Sequence, residues 1–324
     1  MQRRQFLKAS GATALGVLGL YVAGAGTMRS AWAALGTPDL TAAEYKASRR
    51  YAALSMGKIA YIERGHGPAA IFLHGIPLNS FQWRGAIARL SPYRRCVAPD
   101  WMGLGYTEVP AAQPLDAHAQ MAMIVALMDS LHIDKADFVA SDSGTGIAQL
   151  LAVNHPQRVR SLLLTNGDVE GDSPPAGAQP AIELARAGKL ADATEAWLGD
   201  TAMAQATFGK AVYHNPSVLT SEHIAYYVSP VVSSELRRKQ YHDIHLAMEP
   251  NPLAGIESKL KQSHVPMRVL WGGEDTVFAQ TDAEYLDRTF PQSKGVRRLA
   301  EGKLFFQEEY PDVIAEEARK LWGV

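Results

Sequence analysis

The chain has 324 residues, 47% of them hydrophobic and 20% charged, which is enough apolar material for a large core that needs no disulfide or metal staples. Its 32 basic and 33 acidic residues leave a net charge of -1, and no run of like charge offers the footprint that nucleic acid or an anionic membrane would need. The single cysteine, Cys96, excludes an internal disulfide and lies in an apolar stretch, where it reads as a small buried hydrophobe rather than a nucleophile. A small-molecule substrate is the partner this leaves.

At the N-terminus, Arg3-Arg4-Gln5-Phe6-Leu7-Lys8 precedes a Gly/Ala-rich, modestly apolar stretch to about Thr27 and then Ala31-Trp32-Ala33. This is the layout of an export signal with a small-residue cleavage site. The segment is diluted by glycine and alanine and barely long enough to span a bilayer, so cleavage is expected and no stable membrane anchor. It resembles a twin-arginine signal, which implies the twin-arginine export machinery as a partner, transport in the folded state and a periplasmic location. Residues 1–33 are therefore set apart from the fold.

Short apolar runs then alternate with helical patterns. Strands are predicted at Arg50 to Ser55, Ala60 to Ile62 and Ala69 to Leu73, followed by a helix near Phe81 to Leu90 and a strand at Cys96 to Pro99. A helix from Ala117 to Leu131, a strand at Ala136 to Ala140, a helix from Gly144 to Asn154 and a strand at Ser161 to Leu164 come next. A long polar, helix-rich stretch from about Val169 to Asn251 interrupts the series. It resumes with strands at Met267 to Trp271 and Gly295 to Ala300, and a closing helix from Pro311 to Leu321. Such alternation predicts an α/β fold with a mostly parallel central sheet and helices on both faces. The core spans residues 34–168 and 252–324, and residues 169–251 form an inserted helical cap.

Residues 138–146, Phe-Val-Ala-Ser-Asp-Ser-Gly-Thr-Gly, have the shape of a nucleophile elbow. Such a turn from strand to helix holds one side chain in strained geometry and needs small residues two before and two after it. Ala140 and Gly144 meet that need around Asp142, whereas centring the motif on Ser143 would flank it with Ser141 and Thr145. Asp142 is the better centre, so the nucleophile would be an aspartate.

With these motifs the chain resembles the α/β-hydrolase superfamily, and within it the haloalkane dehalogenase and epoxide hydrolase branch. Phe72-Leu73-His74-Gly75-Ile76-Pro77 matches the turn after the third strand, Phe81-Gln82-Trp83-Arg84 follows at the usual distance, and Ala98-Pro99-Asp100 with Gly103 and Gly105 matches the next strand. His155-Pro156 closes the elbow helix in register, and Trp271-Gly272-Gly273-Glu274-Asp275 resembles the strand end that carries the acid of a triad. The resemblance implies attack of Asp142 on an electrophilic carbon and a covalent alkyl ester that water then hydrolyses. The backbone N–H groups of Ile76 and Ser143 would form the oxyanion hole, His74 and Gly75 would support the turn, and Asp275 would be the acid.

The family histidine is missing. Its stretch here reads Gly302-Lys303-Leu304-Phe305-Phe306-Gln307-Glu308-Glu309, which places Leu304 at the histidine position. The tryptophan and asparagine that serve halide binding in the branch are replaced by Ser143 and Ile76, so epoxide or ester-like substrates fit better than haloalkanes. The alternative acid position after the sixth strand holds Asn166, with Asp168 close by. Cap residues His214, His223, His242 and His245 could stand in as bases, and Tyr226 and Tyr227 could donate hydrogen bonds to an epoxide oxygen. The readings left open are a hydrolase with an Asp142 nucleophile, a degenerate hydrolase that binds a small ligand without turnover, and a lyase or isomerase using Asp142 as a general base. No metal-ligand spacing or nucleotide-binding glycine loop implies a cofactor.

Overall fold

A computed structural model describes residues 37–324 of the chain. The signal peptide expected over residues 1–33 lies outside the described residues. Among the described residues no helix is long and apolar enough to cross a membrane.

Eight strands form one sheet: β1 (Arg49–Leu54), β2 (Gly57–Arg64), β3 (Ala69–Leu73), β4 (Arg95–Pro99), β5 (Ala136–Asp142), β6 (Val159–Gly167), β7 (Met267–Gly272) and β8 (Ser293–Leu299). Their order is β1-β2-β4-β3-β5-β6-β7-β8. β2 runs antiparallel to both β1 and β4, and every other neighbouring pair is parallel. Every residue of β3 and β5 is buried, as expected of central strands covered by helices on both faces. Cys96 in β4 is buried and unpaired, in keeping with its apolar surroundings.

The order of elements follows the predicted series, with local differences. β5 runs two residues past Ala140, so that Asp142 is itself the strand end. The helix expected from Phe81 divides into a 3-10 turn, Ser80–Trp83, and an α-helix, Arg84–Leu90. The Asn79 side chain accepts the Phe81 N–H and fixes the tighter first turn. The helices Ala42–Ala47 and Asp282–Thr289 had no counterpart in the sequence reading. Both are shorter than three turns, and the second buries little more apolar surface than Ala283 and Leu286, too sparse a pattern for a 3.6-residue period to show.

The stretch between β6 and β7 carries helices at Gln179–Arg186, Leu190–Glu195, Ser221–Val232 and Glu235–Leu246. A buried polar cluster ties it to the core. Glu308 pairs with Arg84, both almost fully buried, and accepts the Tyr213 hydroxyl at 2.5 Å and the Tyr227 hydroxyl at 2.8 Å. Removing one member of such a pair strands a desolvated charge, which costs about 3–5 kcal/mol. Glu308→Gln, which keeps the shape and leaves Arg84 uncompensated, is therefore expected to lower unfolding free energy by that amount in urea titration. A loss below about 1 kcal/mol would mean that water already screens the pair.

Candidate active site

Asp142 leaves β5 with φ 55° and ψ -130°, and the helix Ser143–Asn154 begins at the next residue. A non-glycine residue in this region is strained by about 1–3 kcal/mol and persists only where its surroundings hold it. The holding is visible at two glycines. A β-carbon on Gly144 would stand 2.6 Å from the Leu73 carbonyl oxygen, and one on Gly167 would stand 2.3 Å from that of Asp142. Alanine normally improves a helical glycine position by about 1 kcal/mol. Here overpacking outweighs that gain, and Gly144→Ala is expected to destabilise the fold by about 1–3 kcal/mol in thermal unfolding. An unchanged or raised melting temperature would show that the elbow is loose.

The Asp142 carboxyl is buried, and its Oδ1 accepts the backbone N–H of Ile76 at 2.9 Å and of Ser143 at 2.6 Å. Burial pushes its pKa up from 3.8 to about 6, against the opposing pull of the Ser143 and Ile76 N–H groups. His74 braces the turn. The Trp101 N–H donates to its Nε2 at 3.0 Å, which leaves the proton on Nδ1, 2.9 Å from the Gly75 oxygen. Burial holds its pKa down to about 4, so the ring is neutral. A β-carbon on Gly75 would meet the Asp142 Cβ at 2.5 Å and the Phe305 ring at 2.8 Å. Only glycine lets the turn approach this closely. Gly75, expected from the sequence to support the turn, is thus packed against Asp142 itself, and Gly167 and Phe305 join the site through contact, which their places in the sequence do not reveal.

Asp275 lies just beyond β7, buried, with Oδ2 accepting the Asn166 side-chain amide at 2.7 Å and Oδ1 accepting the Val277 N–H at 2.8 Å. Burial raises its pKa, again opposed by those hydrogen bonds. Asn166 also takes the Gly272 N–H at 2.6 Å, so the amide at the alternative acid position is built into the same cluster. The loop after β8 is firmly set. Gln307 Nε2 donates to Ser141 Oγ and Thr165 Oγ1, both at 2.7 Å, and the Phe305 N–H reaches the Val212 oxygen at 3.0 Å. Leu304 is buried on this loop.

A cavity of about 490 Å³, its open mouth included, is lined by Ile76, Ser143, Ile147, Trp101 and Asp168 from the core and by Ile244 and Met248 from the cap, among others. It is mostly apolar. The Trp101 indole N–H is spent on the His74 carbonyl oxygen at 2.8 Å. The expected cap groups lie elsewhere. The Tyr227 hydroxyl proton is spent on Glu308 and the Tyr226 hydroxyl, held by Arg49, does not line this cavity, so the expectation that they donate to a substrate oxygen does not hold in this structure. His214 pairs with Glu274, His223 with the Val218 carbonyl oxygen and His245 with that of Tyr241, while His242 accepts the Ala191 N–H. Asp168, noted in the sequence only as a neighbour of Asn166, is the ionisable group the structure brings to the cavity wall.

The α/β hydrolase fold family matches residues 68–310. Haloalkane dehalogenase 2 of Mycobacterium tuberculosis is 28% identical over 306 residues, covering 86% of this chain and 96% of that protein. Among solved structures, an α/β hydrolase fold protein from Burkholderia ambifaria superposes with a TM-score of 0.74 at 20% identity over 88% of this chain and 99% of the other. The epoxide hydrolase CorEH gives a TM-score of 0.69 at 20% identity, over 85% and 98%.

Proposed function

The chain belongs to the α/β hydrolase fold family, in its haloalkane dehalogenase and epoxide hydrolase branch, and on that premise we propose that it hydrolyses a small, largely apolar epoxide or ester-like substrate through a covalent ester on Asp142. The observation that carries this reading is Asp142 held in strained backbone geometry with one carboxylate oxygen between two amide N–H groups. The other oxygen attacks the electrophilic carbon. In the second step water adds to the Asp142 carboxyl carbon, and the same two N–H groups stabilise the tetrahedral oxyanion. A haloalkane fits less well, because Ser143 and Ile76 stand where the branch holds halide and the Trp101 indole N–H is already bonded.

A second reading, a ligand binder without turnover, is favoured by one observation. The oxygens of Asp275 are bonded to Asn166 and Val277, and the residue in the family's histidine position is Leu304. Intact-protein mass spectrometry after incubation with epoxides, activated esters and haloalkanes separates the two. A mass gain located on Asp142 by peptide mapping is the expected result, equal to the whole substrate for an epoxide and to the substrate less its leaving group and a proton for a haloalkane or an activated ester. Neither gain nor product would leave the binder. Product with no trace of adduct under rapid quenching would point to general-base chemistry by Asp142.

A further inference from the structure

We propose that Asp168 is the acid and the base of this site: its carboxyl protonates the epoxide oxygen as the ring opens, and the resulting carboxylate takes a proton from the water that hydrolyses the Asp142 ester. The proposal rests on the reading of Asp142 as nucleophile and supplies the group that the missing histidine leaves wanting.

The placement argues for it. β5 and β6 run parallel with Asp142 opposite Gly167, so Asp168 is the first residue beyond the level of the nucleophile. Its backbone is fixed at both polar groups, the N–H on the Asp142 carbonyl oxygen at 3.4 Å and the carbonyl oxygen on Gln149 Nε2 at 2.7 Å. Its side chain lies over the first turn of the elbow helix, where a β-carbon on Gly146 would come within 3.2 Å of the Asp168 Cβ. Asp168 is 94% buried, since only 6% of it is exposed, and it lines the cavity together with Ile76 and Ser143, whose N–H groups hold Asp142. One buried polar atom in that wall, Asp168 Oδ1, has no hydrogen-bond partner. Buried polar atoms are almost always satisfied, so an acceptor left open on a cavity wall marks where a ligand hydroxyl or a water is to be held.

The protonation state follows from the surroundings. Burial pushes the Asp168 carboxyl well above the usual carboxylate range, the Asp142 charge pushes it further, and the Ser173 hydroxyl opposes both. The charged groups that bear on it, Asp142 and Asp172, are both acidic and favour retention of the proton. Two carboxyls pushed apart in this way divide the roles of nucleophile and acid.

The steps balance. The Asp142 carboxylate forms a C–O bond to an epoxide carbon, the ring C–O bond breaks, and the ring oxygen takes the Asp168 proton. This leaves a hydroxyalkyl ester and an Asp168 carboxylate. Water then gives a proton to Asp168 and its oxygen to the Asp142 carboxyl carbon. Collapse breaks the ester bond, and the departing alkoxide recovers the proton from Asp168. Asp142, now a carboxylic acid, returns its proton to Asp168, so the net reaction is epoxide plus water to diol.

Rapid-quench mass spectrometry of single turnovers with styrene oxide and phenethyl bromide tests this, because bromide leaves without a proton. In Asp168→Asn, ester formation from the epoxide is expected to slow by about 10²-fold more than from the bromide. The ester from either should outlive the wild-type ester by about 10²-fold or more, and Asp168→Glu should recover part of the decay rate. Equal slowing with both substrates, or a wild-type ester lifetime, would overturn the proposal. If Asp168→Asn does not fold, Asp168→Glu decides alone, since an unchanged epoxide-to-bromide ratio and ester lifetime there overturn it too. An ester that still forms in Asp142→Asn, or none in the wild type, overturns the nucleophile reading first and takes Asp168 with it.

Discussion

Asp142→Asn is expected to remove ester formation and turnover, by a factor on the order of 10⁴ or more, while making the folded protein more stable at neutral pH. The first effect follows because the amide oxygen is a poor nucleophile, while the side chain keeps its shape between the Ile76 and Ser143 N–H groups. The second follows from linkage. Asp142 has its pKa raised from 3.8 to about 6 by burial, so the folded state holds this proton more tightly than the unfolded chain does. Below the unfolded value both states are protonated and the carboxyl costs nothing. As pH rises toward the folded value the unfolded chain ionises first, and above it the folded state bears an ionised carboxylate at a cost of about 3 kcal/mol. Asparagine has no such cost. Its advantage in urea titration should therefore be largest at pH 8 and shrink toward zero near pH 4. An advantage independent of pH, or a variant less stable at pH 8, would mean that the carboxylate is not desolvated as its burial indicates.

This pairing of lost chemistry with gained stability is what separates a strained functional residue from a helix cap. An N-cap aspartate sits in relaxed extended backbone and stabilises its helix, as Asp116 does for Ala117–Ser130 by accepting the His118 and Ala119 N–H groups. Asp142 has a φ of 55°, and its carboxyl also takes an N–H from another loop. The price of that arrangement is set by tertiary contacts at Gly75, Gly144 and Gly167.

How much of this was legible in the chain depended on the range of the forces involved. The central strands show in the sequence because burial on both faces demands unbroken apolar runs such as Ala69–Leu73, and Asp142 shows because its local turn demands small neighbours. Gly75 shows through the turn motif around His74, but Gly167 is required by an approach across the sheet, and nothing local distinguishes it from other turn glycines. The cap tyrosines were misplaced for a related reason. Adjacent residues on a helix point about 100° apart, and whether either faces the cavity depends on how Ser221–Val232 packs. In the fold Tyr226 stacks on Phe81 and Tyr227 reaches Glu308. Asp168 was noted only as a neighbour of Asn166, because its burial, its open oxygen and its place in the cavity wall arise when β5, β6 and the cap come together.

Leu304→His is expected to shorten the life of the Asp142 ester by about 10²-fold or more, the usual contribution of a positioned general base. The loop is held in place by groups other than residue 304: Gln307 on Ser141 and Thr165, and the Phe305 N–H on Val212. Substitution there changes the chemistry without moving the backbone that delivers it. Asp275 is buried just beyond β7, fixed by Asn166 and the Val277 N–H, and a carboxylate oxygen with one such bond can accept a second from an imidazole N–H. Two further variants make the result specific. Asp275→Asn in the Leu304→His background should lose most of the gain, since the ring would lose its orienting charge. The double variant Asp168→Asn with Leu304→His should clear the bromide-derived ester faster than Asp168→Asn alone, because a base arriving from the β8 loop does not depend on the one after β6. An ester whose lifetime is unchanged by Leu304→His would mean that the elbow and oxyanion turn of this chain no longer present the ester to the position from which family histidines act.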